Sequence, residues 1–219
     1  DGQRVAATGG FGSVRIWAAD TGALIQTVKA PADTWSEHLS WRPDSVRLAV
    51  AGTNGWAVTV DVATGDTILL APPTDEPAVD WLWVEYAPDG AHVALSGEGG
   101  QAGVWTAAGR QIATTNAPRG RVHAIRWSPD GQTLITACSD HVARLWSPGG
   151  TLRHELQGHR GAVLHAAFLP DGATVLTASL DNTLRSWAVG RGLPLLTFVG
   201  HAAGVRRVDE QPRGQEEQA

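Results

Sequence analysis

Several groupings of residues in this chain carry side chains capable of chemistry. His159, Ser179 and Asp181 supply the base, hydroxyl and orienting carboxylate of a hydrolytic triad. Ser139-Asp140-His141 repeats the trio in adjacent positions, where the side chains of a strand-to-turn segment diverge. His154 and His159 approach the spacing of a two-histidine zinc site. That site needs histidines four apart on one helical face, whereas here Gly158 intervenes and the segment reads as strand then loop. Gly97-Glu98-Gly99-Gly100 lacks the lysine and the strand-to-helix setting of a phosphate loop. Arg110, Arg119, Arg121 and Arg126 read most simply as a solvated edge, and Asp44, Asp89, Asp130 and Asp171 as separate turn residues. Cys138 is the only cysteine, which excludes an internal disulfide and a four-cysteine zinc site. Neither a metal nor a cofactor is expected.

The elements that position these residues announce themselves through an internal repeat. Trp17, Val60, Trp105, Trp146 and Trp187 each close a short, largely alternating stretch, at steps of 43, 45, 41 and 41 residues. In phase with them run Pro43-Asp44-Ser45, Pro88-Asp89-Gly90, Pro129-Asp130-Gly131 and Pro170-Asp171-Gly172. Two residues before each proline stands a large aromatic: Trp41, Tyr86, Trp127 and Phe168. This accounts for most of the 10 Trp set against 1 Tyr. The wider composition agrees with a chain that buries a large core: 219 residues, 42% hydrophobic and 18% charged. A net charge of −5 argues against nucleic acid as the main partner, and no apolar run is long enough for a membrane helix. No signal peptide opens the sequence, so a cytoplasmic location is expected.

The punctuation of one repeat predicts its fold. In 159–199, AVLHAAFL runs apolar up to the Pro170-Asp171-Gly172 turn, and ATVLTAS forms a second strand. A tight turn at Leu180-Asp181-Asn182 leads into LRSWAV, and Gly190-Arg191-Gly192 leads into LPLLTFV, which Pro194 marks as an edge strand. No segment shows a helical period. Four antiparallel strands repeated about five times predict an all-β propeller over 1–209, with a polar tail at 210–219.

The same residues resemble the WD-repeat β-propellers. Gly158-His159, Ser179, Asp181 and Trp187 match that family's pattern in order and spacing. The preceding copy keeps Asp140 and Trp146, with Cys138 and Pro118 in place of serine and histidine; the earlier copies carry Phe11, Asn54 and Gly99 at the Asp position. The resemblance implies that His159, Ser179, Asp181 and Trp187 form a structural network around a buried indole rather than a triad. It also implies a partner-binding top face built in phase from Trp35, Glu37, Asp80, Leu82, Arg121, His123, Ala162, Leu164 and Arg206. Thr53, Glu98, Ser139 and Leu180 join them as the residues before the turn. Trp81 and Trp83 are expected to pack between blades, and Trp35, on the loop before a first strand, to touch a partner.

Asp1-Gly2 stands in phase with the Pro-Asp turns, so the chain is expected to open within a blade that lacks its first strand. Gly200-His201 starts a further repeat, and Pro212 holds the place of Pro170, so this strand is a candidate to complete the first blade. Glu210 in place of the aromatic speaks against it. A piece of a larger propeller or a degenerate ring is favoured over a closed five-bladed ring. The function expected is a non-catalytic scaffold that docks a protein or peptide, with no nucleic acid and no membrane. The alternatives are a sensor or regulatory segment of a larger multidomain, bacterial protein, and a propeller with a ligand or catalytic site in its channel.

Overall fold

A strand whose side chains alternate between two apolar faces must be covered on both, and the observed architecture is that of sheets stacked side by side. The computed structural model describes residues 2–9, 12–70, 79–116 and 120–208. Phe11, Pro118, Arg119, Glu210, Pro212 and the tail 210–219 lie outside the described residues. The first sheet holds β1 (Arg4–Gly9), β2 (Ser13–Ala18) and β3 (Leu24–Lys29), and the second β4 (Ser36–Trp41), β5 (Arg47–Gly52), β6 (Ala57–Asp61) and β7 (Thr67–Leu69). The third holds β8 (Trp81–Tyr86), β9 (His92–Gly97), β10 (Gln101–Thr106) and β11 (Gln111–Asn116). The fourth runs β12 (Val122–Trp127), β13 (Leu134–Cys138), β14 (Ala143–Trp146) and β15 (Leu152–Leu156). The fifth runs β16 (Val163–Phe168), β17 (Thr174–Ser179), β18 (Leu184–Ala188) and β19 (Leu193–Phe198). All pairing is antiparallel between chain neighbours, so each sheet is a meander and the fold is the all-β array of a propeller.

The first strands β4, β8, β12 and β16 lie next to one another in series, which places them around a common axis and the fourth strands outside. The Pro-Asp turns and the turns between third and fourth strands lie at one end of the blades. The turns between second and third strands lie at the other, here the top. Pro194 sits on the outer strand β19, where a missing N–H costs no ladder bond. Blade one shows three strands, and the stretch 201–208 does not supply the fourth among the described residues. Instead the Val205 N–H donates to the Ser179 carbonyl (2.8 Å), and Val205 and Val208 pack on Ala167 and Ala178 of blade five.

Core residues sit between blades. Leu134, Ile125, Val122, Trp127 and Trp146 of blade four join Ala94 and Val104 of blade three, and Trp187 packs on Leu145 and Leu156 of blade four. Trp81 is buried edge-on against Trp105, with ring centres 5.6 Å apart. Truncating the fully buried Leu134 to alanine is expected to cost about 2–5 kcal/mol in urea unfolding. The same change at Leu196, 60% exposed on β19, is expected to stay within about 0.5 kcal/mol.

Candidate functional site

The residues with triad chemistry meet in blade five, and their bonds reveal what they do. His159 lies 2.9 Å from Asp181 through Nδ1 and 2.8 Å from the Thr177 hydroxyl through Nε2. The Trp187 indole N–H donates to that same hydroxyl at 2.8 Å. The chain is self-consistent: Nδ1–H donates to the carboxylate, and the Thr177 O–H donates to Nε2 while accepting from the indole. Ser179 stands outside it. Its hydroxyl donates to the Gly161 carbonyl (3.0 Å) and accepts the Asp181 N–H (3.1 Å). Ser179 ends β17 opposite Val163, so the turn claims its hydroxyl, while Thr177 lies one pleat deeper, level with the rings.

Burial works against ionisation of Asp181, but donors from the Thr183 hydroxyl, the Arg160 amide and His159 hold its carboxyl well below the usual range. Burial lowers the His159 pKa, and Asp181 offsets part of that effect. In blade four the network divides. The Trp146 indole donates to Thr136 (2.9 Å), while Asp140 pairs with the buried Arg144 (2.7 Å), which also reaches Glu155 (2.9 Å). His154 lies on β15 and packs on Gly192 of the next blade, so it shares no site with His159.

The earlier blades replace the Asp turn with another geometry. Asn54-Gly55 and Gly99-Gly100 have positive φ at both residues, the signature of tight hairpin turns of the primed type. At Asp140-His141 and Asp181-Asn182 only the second residue is left-handed, and the Asp side chain accepts the N–H two residues on. Loss of the Asp therefore goes with a change of turn type, not with loss of the turn.

The top-face positions are organised by two recurring backbone features. First, the ladder between first and second strands is interrupted in four blades, between Ser36 and His38, Trp81 and Trp83, Val122 and Ala124, and Val163 and His165. The skipped residues are Glu37, Leu82, His123 and Leu164. Each is the extra residue of a bulge, the device by which a strand re-aims a side chain. Second, one hydrogen bond per blade ties the entry of the first strand to the turn before the third. Thr53 N–H donates to the Trp35 carbonyl (2.9 Å), Glu98 to Asp80 (3.0 Å), Ser139 to Arg121 (2.9 Å) and Leu180 to Ala162 (3.0 Å). Neighbouring blades are also joined here: the Asp80 carboxylate accepts the Asn54 N–H, and Arg121 pairs with Glu98. Burial lowers the His123 pKa, the Arg121 charge adds to this, and Glu98 opposes it. Trp35 is 54% exposed, Leu180 is exposed on the same end, and Arg206 is exposed in the C-terminal stretch.

A third cluster lies on the axis, where sequence reading placed no titratable site. His38 stacks on Trp83 with ring centres 3.7 Å apart, and His165 meets Trp83 edge-on at 5.3 Å. The Arg126 guanidinium lies 5.6 Å from the Trp83 ring centre, and its Nε stands 3.3 Å from Glu85. Trp83 thus packs against the cores on both sides of blade four, as expected, and also reaches the axis. Burial lowers the His38 pKa to about 4 and raises that of Glu85 to about 7, the latter despite the pull of Arg126. The signal was present in phase. His38, Trp83, Ala124 and His165 each follow a bulge residue, and Ser40, Glu85, Arg126 and Ala167 each precede the aromatic.

Residues 109–147 and 150–188 each match the family WD domain, G-beta repeat. Each match spans the outer strand of one blade and the first three strands of the next. These two stretches are therefore similar to WD repeats, which generally build protein-interaction scaffolds and are typically non-catalytic. No curated protein matches the chain.

Thr177→Val leaves both the indole N–H and His159 Nε2 without a partner, and is expected to cost about 1–3 kcal/mol in thermal unfolding. Ser179→Ala should cost less, about 1 kcal/mol. A reversed order would displace Thr177 from the centre of the network. Glu85 carries a raised pKa, so the stability it contributes is complete below about pH 4 and is lost as pH rises through about 7. Glu85→Gln should remove that decline, leaving the variant more stable than the parent above neutrality by on the order of 1–3 kcal/mol. Denaturant midpoints taken across pH read this directly.

Proposed function

We propose that the chain is a non-catalytic scaffold that docks a partner protein or peptide on the top face. The observation that carries this reading is the repeated bulge. In successive blades it lifts Glu37, Leu82, His123 and Leu164 out of the ladder, beside the turn residues that the cross-strand bond holds in place. Side chains from several blades thus face one end, where they can form a central cluster with a polar rim. Trp35 brings area, Leu82, Leu164 and Leu180 an apolar floor, and Arg121 directional donors. The non-catalytic reading is supported by the bonds of the triad residues: the Ser179 hydroxyl is committed to Gly161, and His159 to Asp181 and Thr177.

The test is an alanine scan of both ends of the blades against the partner that co-purifies with the parent protein. Replacing Trp35 or Arg121 is expected to cost about 2 kcal/mol or more, roughly a thirtyfold loss of affinity, with smaller losses at Leu82 and His123. Replacing Asp89 or Asp130 in the opposite turns should leave affinity within about twofold. If the opposite-end variants abolish binding while the top-face variants do not, the docking surface lies elsewhere.

A further inference from the structure

The axial cluster is held by four successive blades and carries unspent charge. Arg126 engages Glu85 through Nε alone, at 3.3 Å, and no other hydrogen-bond or ion-pair partner holds its forked Nη donors among the described residues. Its side chain is 31% exposed, so solvent and small groups reach it, whereas the Glu85 carboxylate is largely enclosed. The Trp83 indole N–H lies enclosed beside the Glu85 carboxylate, on which it and Arg126 both draw. The charges of this cluster are Glu85 from β8 and Arg126 from β12, and Arg207 from the C-terminal stretch acts on the neighbouring His38. His38 from β4 and His165 from β16 add imidazoles. Arg126 and Arg207 both act on His38, so this side of the cluster is cationic within a chain of net charge −5.

We propose that the axis holds a carboxylate-binding site, with the Nη donors of Arg126 as its anchor and Trp83 as its wall. A guanidinium presents two parallel donors that match the two oxygens of a carboxylate, which a compact ammonium ion does not. Trp83 covers the guanidinium from one side, which fixes its plane and reduces its hydration. The opposing charge of Glu85 is removed by protonation, which its surroundings place near neutral pH. An arriving anion favours the protonated form further, so binding takes up a proton at Glu85. A cation is disfavoured here by the Arg126 charge. The open cleft of about 620 Å³ lined by Arg42, Asp44, Asp89 and His92 offers a contrast. There Arg42 is already paired with Asp44 and His92 with Asp89, so no donor fork is left for an anion.

The carboxylate can belong to a free organic acid or to an acidic side chain of a protein, and two probes separate these sources. Succinate and a blocked Gly-Glu-Gly peptide are titrated into the protein by calorimetry near pH 7, in buffers of differing ionisation enthalpy. The expected result is one saturable site with net proton uptake, with affinity falling as pH rises. Tight binding of succinate assigns a free acid; binding of the peptide alone assigns a protein side chain. Arg126→Lys keeps the charge but loses the fork, and should weaken binding by about tenfold or more. Glu85→Gln should keep binding and abolish the proton uptake. Indole resonances assigned by Trp83→Phe report whether each variant is folded and whether Trp83 senses the probe. Failure of both probes to bind the folded protein at millimolar concentration overturns the proposal, as does binding indifferent to Arg126→Lys. Neither outcome bears on top-face docking, which the alanine scan tests by itself.

Discussion

The first strand of each four-stranded blade has a free edge toward the axis, and its unpaired backbone groups need partners that the sheet cannot provide. The structure meets this need with side chains from adjacent first strands. The His38 Nδ1–H donates to the Val84 carbonyl (3.0 Å), the Ser40 hydroxyl accepts the Tyr86 N–H (2.9 Å), and the Trp127 indole donates to the Glu85 carbonyl (3.3 Å). Each bond crosses from one blade to the next. The order of the blades is thereby set by backbone chemistry at the axis and by apolar packing farther out. The polar character of the axis follows from the same need, since apolar residues there would strand these donors and acceptors.

The punctuation of the blades was legible in the sequence because it is local. Pro170-Asp171-Gly172 bends the chain whatever surrounds it, and Pro194 disqualifies an interior strand on its own. Thr177 escaped notice for a different reason. Its hydroxyl acts because it lies ten residues before Trp187 on a paired strand, and only the register reveals that the two side chains are level. Ser179 matched a pattern of residue types, but the turn at the end of β17 had the nearer claim on its hydroxyl. The axial cluster was hidden more deeply. His38, Glu85, Arg126 and His165 are each separated by roughly one repeat period, so they form a site only when the copies are stacked in phase.

The repeats tolerate loss of the network because it does not act alone. In blade four Arg144 stands between Asp140 and Glu155, so the turn carboxylate keeps a cationic partner while Thr136 alone receives the indole. In blades two and three the turn needs no carboxylate, because Asn54-Gly55 and Gly99-Gly100 adopt the hairpin geometry through their own backbone freedom. What persists through all four complete blades is the bulge in the first strand and the hydrogen bond between strand entry and turn. Those features are made by backbone groups, so side-chain divergence leaves them intact while changing what the top face displays.

The two candidate sites therefore rest on different physics. A top-face side chain such as Trp35 or Glu37 projects from a bulge or a turn whose geometry is set within one blade. It can be exchanged with little effect on the packing below. The axial residues are positioned by several blades at once: Trp83 is fixed between His38 of blade two and His165 of blade five, with Arg126 of blade four beside it. Any shift of one blade against another moves these groups by comparable amounts, and the fit of a guanidinium to a carboxylate is sensitive to such displacements. The axis thus couples ligand geometry to the packing of the whole array, whereas the top face lets recognition vary blade by blade.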